Sequence, residues 1–170
     1  DRKNIALDNL KKELKNNSKI LIDSNKKDLD NANSMKLSQA LVDRLTLNNS
    51  RIESMINSLD DIIKLNDPIG NILSEWQRPN GLKIKKISVP LGVIGIIYES
   101  RPNVTADAAA LCLKSGNTCI LKGGSEALST NLSIAKSLSE ALNKEGLPES
   151  SAQLVNTLNR GAVKELLKMN

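Results

Sequence analysis

The chain has 170 residues, 39% of them hydrophobic and 25% charged, with a net charge of +5, two cysteines and no histidine. That is enough chain for one core plus an appendage. It excludes a disulfide scaffold, a histidine-based metal site and histidine-assisted Ser or Cys catalysis within these residues. No apolar run of membrane-spanning length exists, and no signal peptide is visible, so no membrane is expected and the cytoplasm is the expected location. There is no Phe, and one Trp and one Tyr. The lysines mix with acids and lack interleaved aromatics, so nucleic acid is not an expected partner.

Residues 1 to about 66 read as helices. In "IALDNLKKEL", Ala6, Leu10 and Leu14 share one face. "NNS" at 16–18 interrupts that pattern, and "QALVDRL" predicts a short helix. In "SRIESMINSLDDIIKLND", Ile52, Met55, Ile56, Leu59, Ile62 and Ile63 recur at helical spacing. Ser50 and Glu53 predict a capping box at its start, and Asp67-Pro68 a stop. Next, Asn80-Gly81 in "RPNGL" predicts a two-residue hairpin turn leading into "LKIKKISV". A phase shift at Lys85-Lys86 predicts a bulge or a change of partner.

From Pro90 onward a strand–helix rhythm begins. "GVIGIIY" predicts a buried strand without alternation, and "NVTADAAALCLKSG" a deeply buried helix capped at Gly116. "TCILK" is a second strand. The long helix of "SEALSTNLSIAKSLSEALNKEG" follows, ending at Gly146. "AQLVN" and "RGAVKELLKMN" are a third strand and helix. The expected fold is α/β, a Rossmann-like parallel βαβ domain preceded by helices and a hairpin. Ligands of such sheets bind beyond the carboxyl ends of the strands.

Two segments fall at those ends. "KGGSEAL" fits neither dinucleotide nor P-loop glycine spacing. It offers the Lys122 cation, the small Gly123 and Gly124, and Ser125 with following amides at a helix N-terminus that favours anions. On local sequence alone the structural reading is favoured: a plain βα turn, with Ser125 as N-cap and Glu126 as a first-turn acid. "YESRPNVT" places Arg101, a planar donor fork, beside Asn103, whose amide suits an oxyanion hole. Here the alternative stays open, with Asn103 capping the helix and Arg101 paired to Glu99 or Asp107. Cys112 and Cys119 lie in apolar surroundings and read as core residues, not nucleophiles.

The run "VPLGVIGIIYESRPNVTADAAALCLKSGNTCILKGGSEA" resembles the gamma-glutamyl phosphate reductases (glutamate-5-semialdehyde dehydrogenases) of the aldehyde dehydrogenase superfamily. "VDRLTL", "DPIG" and "RPNGL" match in order, so the resemblance covers the chain. It implies NADPH-dependent reduction of L-glutamyl 5-phosphate to glutamate 5-semialdehyde in proline biosynthesis, through a cysteine thioester. It implies Asn103 as an oxyanion donor and Lys122 as a contact to the adenosine ribose. Gly123, Gly124, Ser125 and Glu126 complete the expected cofactor turn, with Ser125 standing where NAD-using relatives carry a carboxylate, so Lys122, Ser125 and the glycine backbone are expected to hold the adenosine 2′-phosphate. Arg101 is the candidate substrate contact. Expected divisions are a helical segment 1–70, a hairpin 71–90 resembling the superfamily's assembly strands, and a partial NADP-binding domain 91–170. The resemblance also implies a homo-oligomer, coupling to glutamate 5-kinase, and a nucleophilic cysteine beyond Asn170. The alternative is a truncated dinucleotide-binding module without activity.

Overall fold

The computed structural model describes residues 1–169; Asn170, the last residue of the stretch expected to form the third helix, lies outside the described residues. Four helices come first: α1 (Arg2–Asn16), α2 (Ser18–Ser34), α3 (Gln39–Leu45) and α4 (Asn49–Lys64). The break between α1 and α2 falls at Asn17, within the predicted stretch. The capping box does not form. Asn48 is the N-cap of α4, its side chain accepting from the Arg51 N–H at 2.9 Å, which places Ser50 inside the helix. Asn caps as well as Ser, and with Asn48 available the helix starts two residues earlier.

Strands β1 (Ile72–Gln77) and β2 (Lys83–Ile87) form an antiparallel hairpin. Its loop has three residues, not two. The Arg78 N–H donates to the Leu82 carbonyl at 2.9 Å across Pro79, Asn80 and Gly81, and Gly81 takes φ 87°. Proline before Asn-Gly sets up a type I turn, which needs a left-handed residue after it to rejoin the strands. The expected irregularity exists, but on the facing strand. Register slips between Ile72 and Ser74, opposite Ile87 and Lys86.

The second sheet is parallel, in the order β3 (Val93–Ile97), β4 (Thr118–Lys122), β5 (Ala152–Leu154). Helices α5 (Asn103–Lys114) and α6 (Leu128–Lys144) connect the strands, and α7 (Gly161–Leu166) follows β5. The α/β expectation holds. At Gly116, φ is 71°, and the Asn117 N–H closes back on the Cys112 carbonyl at 2.8 Å, so α5 ends in a Schellman motif as predicted. Strand β3 departs from expectation: Val93 and Ile97 are exposed, while Ile94 and Ile96 are half-buried against the core. It is an edge strand. On its second face Leu166 of α7 packs over Gly95.

One hydrophobic cluster runs through both halves of the chain. Leu7, Leu10 and Leu14 of α1 and Ile52, Met55 and Leu59 of α4 meet Ala106 and Ala110 of α5, Leu121 of β4, and Ile134 and Leu138 of α6. Lacking Phe, the core is filled by interdigitating Leu, Ile and Ala, each large side chain contributing about 1.5–3 kcal/mol on burial. Polar side chains fix the register of the helices. Asn25 of α2, 1% exposed, donates to the Leu45 carbonyl at 2.8 Å and accepts from the Leu47 N–H at 2.7 Å. Lys114, also buried, ties α5 to the Asn4 side chain at 2.7 Å and the Ile63 carbonyl at 2.9 Å. Asn25→Ala strands two buried backbone groups and is expected to cost about 2–4 kcal/mol. Urea unfolding of the full-length protein checks this; a loss below about 0.5 kcal/mol contradicts it.

Candidate active site and cofactor cleft

The segment from Tyr98 to Asn103 joins β3 to α5 and lies between two clefts. Ile97, Tyr98, Glu99 and Ser100 face one, and Arg101, Pro102 and Asn103 face the other.

The first cleft, about 550 Å³, opens beyond the carboxyl ends of β3 and β4. Lys122, Gly123, Gly124, Ser125 and Glu126 all line it. Lys122 is 5% exposed and its Nζ donates to the Gly123 carbonyl at 2.8 Å. Gly123 has a packing reason to be glycine: a Cβ there would overlap Asn131 Nδ2 and sit 3.2 Å from the Tyr98 ring. Ser125 is not an N-cap. It opens a 3-10 turn, Ser125–Ala127, with no side-chain cap bond. Glu126 folds back, accepting from the Ser100 hydroxyl at 2.8 Å.

The helix N-terminus expected to attract an anion is already occupied. Asp28 of α2, 3% exposed, accepts from the Ser129 N–H at 3.1 Å and from the Thr130 N–H and hydroxyl at 2.8 and 2.7 Å. A buried carboxylate satisfied by helix amides leaves those donors unavailable to a ligand. No local pattern signals this, because the partners are a hundred positions apart. Beneath the turn, Tyr98, Thr105 and Asn131 form a hydrogen-bond chain, with distances of 2.7 and 3.0 Å. Burial pushes the Tyr98 phenol up to about 12.

The second cleft, about 370 Å³, lies between the α3–α4 connection and the start of α5. Asn103 is the first residue of α5 but does not cap it, since Pro102 holds the cap position. Its Nδ2 donates to Asp107 Oδ2 at 2.9 Å, and the Ser58 hydroxyl holds the other oxygen of Asp107. An amide carries two N–H groups, so one remains for a ligand. Neither suggested partner of Arg101 engages its side chain. Arg101 and Arg44 both line this cleft, exposed and without an ion pair among the described residues. Arg51, by contrast, is committed to Asp43 at 2.9 Å and to the Thr46 carbonyl at 2.8 Å. Arg44 and Asp28 went unread in the sequence, with only "VDRL" hinting at the first, and Asp107 was weighed there as a partner of Arg101, not of Asn103.

The aldehyde dehydrogenase family model matches residues 11–170. The chain belongs to the aldehyde dehydrogenase family. Within it, the chain is 51% identical over 168 residues to a gamma-glutamyl phosphate reductase of Clostridium novyi, covering 99% of this chain and 40% of that protein. The crystal structure of a gamma-glutamyl phosphate reductase from Thermotoga maritima superposes with a TM-score of 0.97 at 41% identity, covering 99% of this chain and 41% of that one. The Saccharomyces cerevisiae protein of that name gives a TM-score of 0.87 at 30% identity, covering 97% and 48%. The chain thus spans about two fifths of the length of the curated relatives it matches. The family uses nicotinamide cofactors, and the first cleft suits one: apolar walls from Met35, Leu37, Leu41 and Leu158 accompany a lysine, a hydroxyl and further cations. No helix among the described residues is long and apolar enough to cross a membrane.

The chain's own thiols are unsuited to nucleophilic work. Burial pushes Cys119 up to about 12 and raises Cys112 as well. Cys119 and Tyr98 thus hold their protons more tightly folded than unfolded, from ordinary values of 9.0 and 10.0. Their contribution to stability is whole below pH 9 and is lost as pH rises through about 12. Urea midpoints should fall across that window, and Cys119→Ala should flatten the fall. Rapid iodoacetamide labelling of native Cys119 at neutral pH would contradict the burial.

Proposed function

We propose that this chain is the part of an NADPH-dependent acyl-phosphate reductase that holds the cofactor's adenosine end and one wall of the substrate site. The reaction is L-glutamyl 5-phosphate, NADPH and a proton giving L-glutamate 5-semialdehyde, NADP+ and phosphate, a step of proline biosynthesis. The carrying observation is the Tyr98–Asn103 segment, which lines both clefts and so sets a cofactor wall beside a substrate wall. The relatives' name, at about half identity across the whole chain, supports the same reading and does not favour a degenerate binding module.

A bound dinucleotide would supply hydride. Lys122, Ser125 and the Gly123-Gly124 turn would hold its adenosine ribose, with Glu126 held aside by Ser100. Asn103, oriented by Asp107, offers its free N–H to the carbonyl oxygen as charge develops there. Arg101 meets the substrate's anionic groups. The nucleophilic cysteine comes from outside these residues, and the location is cytoplasmic. The hairpin, with exposed Ile72, Leu73, Trp76, Leu82 and Ile87, serves assembly into a homo-oligomer.

In the full-length enzyme, NADPH oxidation should require glutamyl phosphate and release equimolar phosphate. Oxidation without phosphate release would sink the proposal. Asn103→Ala should lower kcat by about 10²–10³-fold with KM little changed. Arg101→Lys, which loses the planar fork, should mainly raise KM for the acyl phosphate. An unchanged KM returns Arg101 to a structural role.

A further inference from the structure

The charges around the larger cleft do not favour a phosphate dianion at the turn that was expected to bind it. The amides of Ser129 and Thr130 are spent on Asp28. Glu126 adds a second carboxylate, and Glu99 lines the same cleft. Against these the turn sets one ammonium, Lys122, which is buried and directed at the Gly123 carbonyl. A ribose hydroxyl is welcome beside such a group; a 2′-phosphate is not.

The opposite side of the cleft has the reverse character. Arg160, just before α7, and Lys164 within it both line the cavity. They are spaced i, i+4, so their side chains share one helix face. Both are exposed, and neither makes an ion pair or side-chain hydrogen bond among the described residues. The neighbouring acid, Glu165, is committed to Lys168 at 2.9 Å. Leu158 and Val163 give the same side an apolar surface for a purine.

We propose that Arg160 and Lys164 bind the adenosine 2′-phosphate and set the preference for NADPH over NADH, while Lys122 and Ser125 hold only the ribose. This rests on the reading of the cleft as the dinucleotide site. A guanidinium fork binds a terminal phosphate bidentately, and the ammonium completes the neutralisation. Specificity then resides in the third strand–helix unit and not in the glycine turn.

The test uses the full-length protein and direct binding, read by nicotinamide fluorescence for NADPH and NADH and by calorimetry for 2′,5′-ADP and 5′-ADP. The variants are Arg160→Gln, Lys164→Gln, the double variant and Arg160→Lys. Both positions are exposed, so folding should survive. The double variant should weaken NADPH and 2′,5′-ADP by roughly 10–100-fold, the worth of one or two charge-assisted hydrogen bonds. NADH and 5′-ADP should stay within about twofold, and Arg160→Lys should fall between, because it keeps charge without the fork. Equal losses for both cofactors, or unchanged NADPH binding, overturn the assignment while leaving the dinucleotide reading intact. If the parent protein binds neither dinucleotide, that reading fails and the assignment with it.

Discussion

The contact between Asp28 and the first turn of α6 governs how the site is built. Helix α6 has no side-chain cap of its own: Ala127 sits at the cap position. Its orphan amides are satisfied by a carboxylate from α2, buried to 3% exposure. A buried carboxylate without such donors would be costly, and a helix start without an acceptor would fray. Each resolves the other's deficit. The result welds the N-terminal helices to the strand–helix unit where the Gly123–Ala127 turn ends and α6 begins. It also consumes the helix dipole that other nucleotide-binding turns turn toward phosphate.

The second constraint is the polar chain under that turn. Tyr98 just after β3, Thr105 from α5 and Asn131 from α6 meet in a line, and Gly123 fits against both Tyr98 and Asn131. Any side chain at 123 would push into this junction. The same residues therefore set the shape of the cofactor cleft and the starting point of α5, and through α5 the position of Asn103. Structure and chemistry are joined here by packing over a few residues, and no long-range mechanism is required.

Much of this was legible in the sequence because the signals are local. Apolar runs gave the three parallel strands, Gly116 gave the end of α5, and position at strand ends put Arg101, Asn103 and Lys122 beside the clefts. The errors share a cause. Asn48 and Ser50 are both good caps, and local preference does not rank them; the burial of Ile52, Met55 and Ile56 decides which start is used. Proline ahead of Asn-Gly lengthened the hairpin loop. The buried reading of β3 assumed neighbours on both edges and both faces, and Val93 and Ile97 have only part of them. Asp28 lay on an ordinary polar helix, and nothing nearby reveals that a helix start a hundred residues on needs it. Arg160 and Lys164 carry no motif of their own, and only the course of the chain after β5 brings them to the cleft.

If Asp28 holds the site together, hydrogen exchange should show it. In Asp28→Asn of the full-length protein, the amides of Ser129 and Thr130 should lose protection, together with the Gly123–Ala127 turn, while the β1–β2 hairpin is unaffected. A neutral amide leaves the donors a weaker acceptor, so about tenfold faster exchange at the two amides is expected, the equivalent of ~1.4 kcal/mol. Unchanged exchange at Ser129 and Thr130 would contradict the account, because α6 would then start as firmly without the carboxylate as with it.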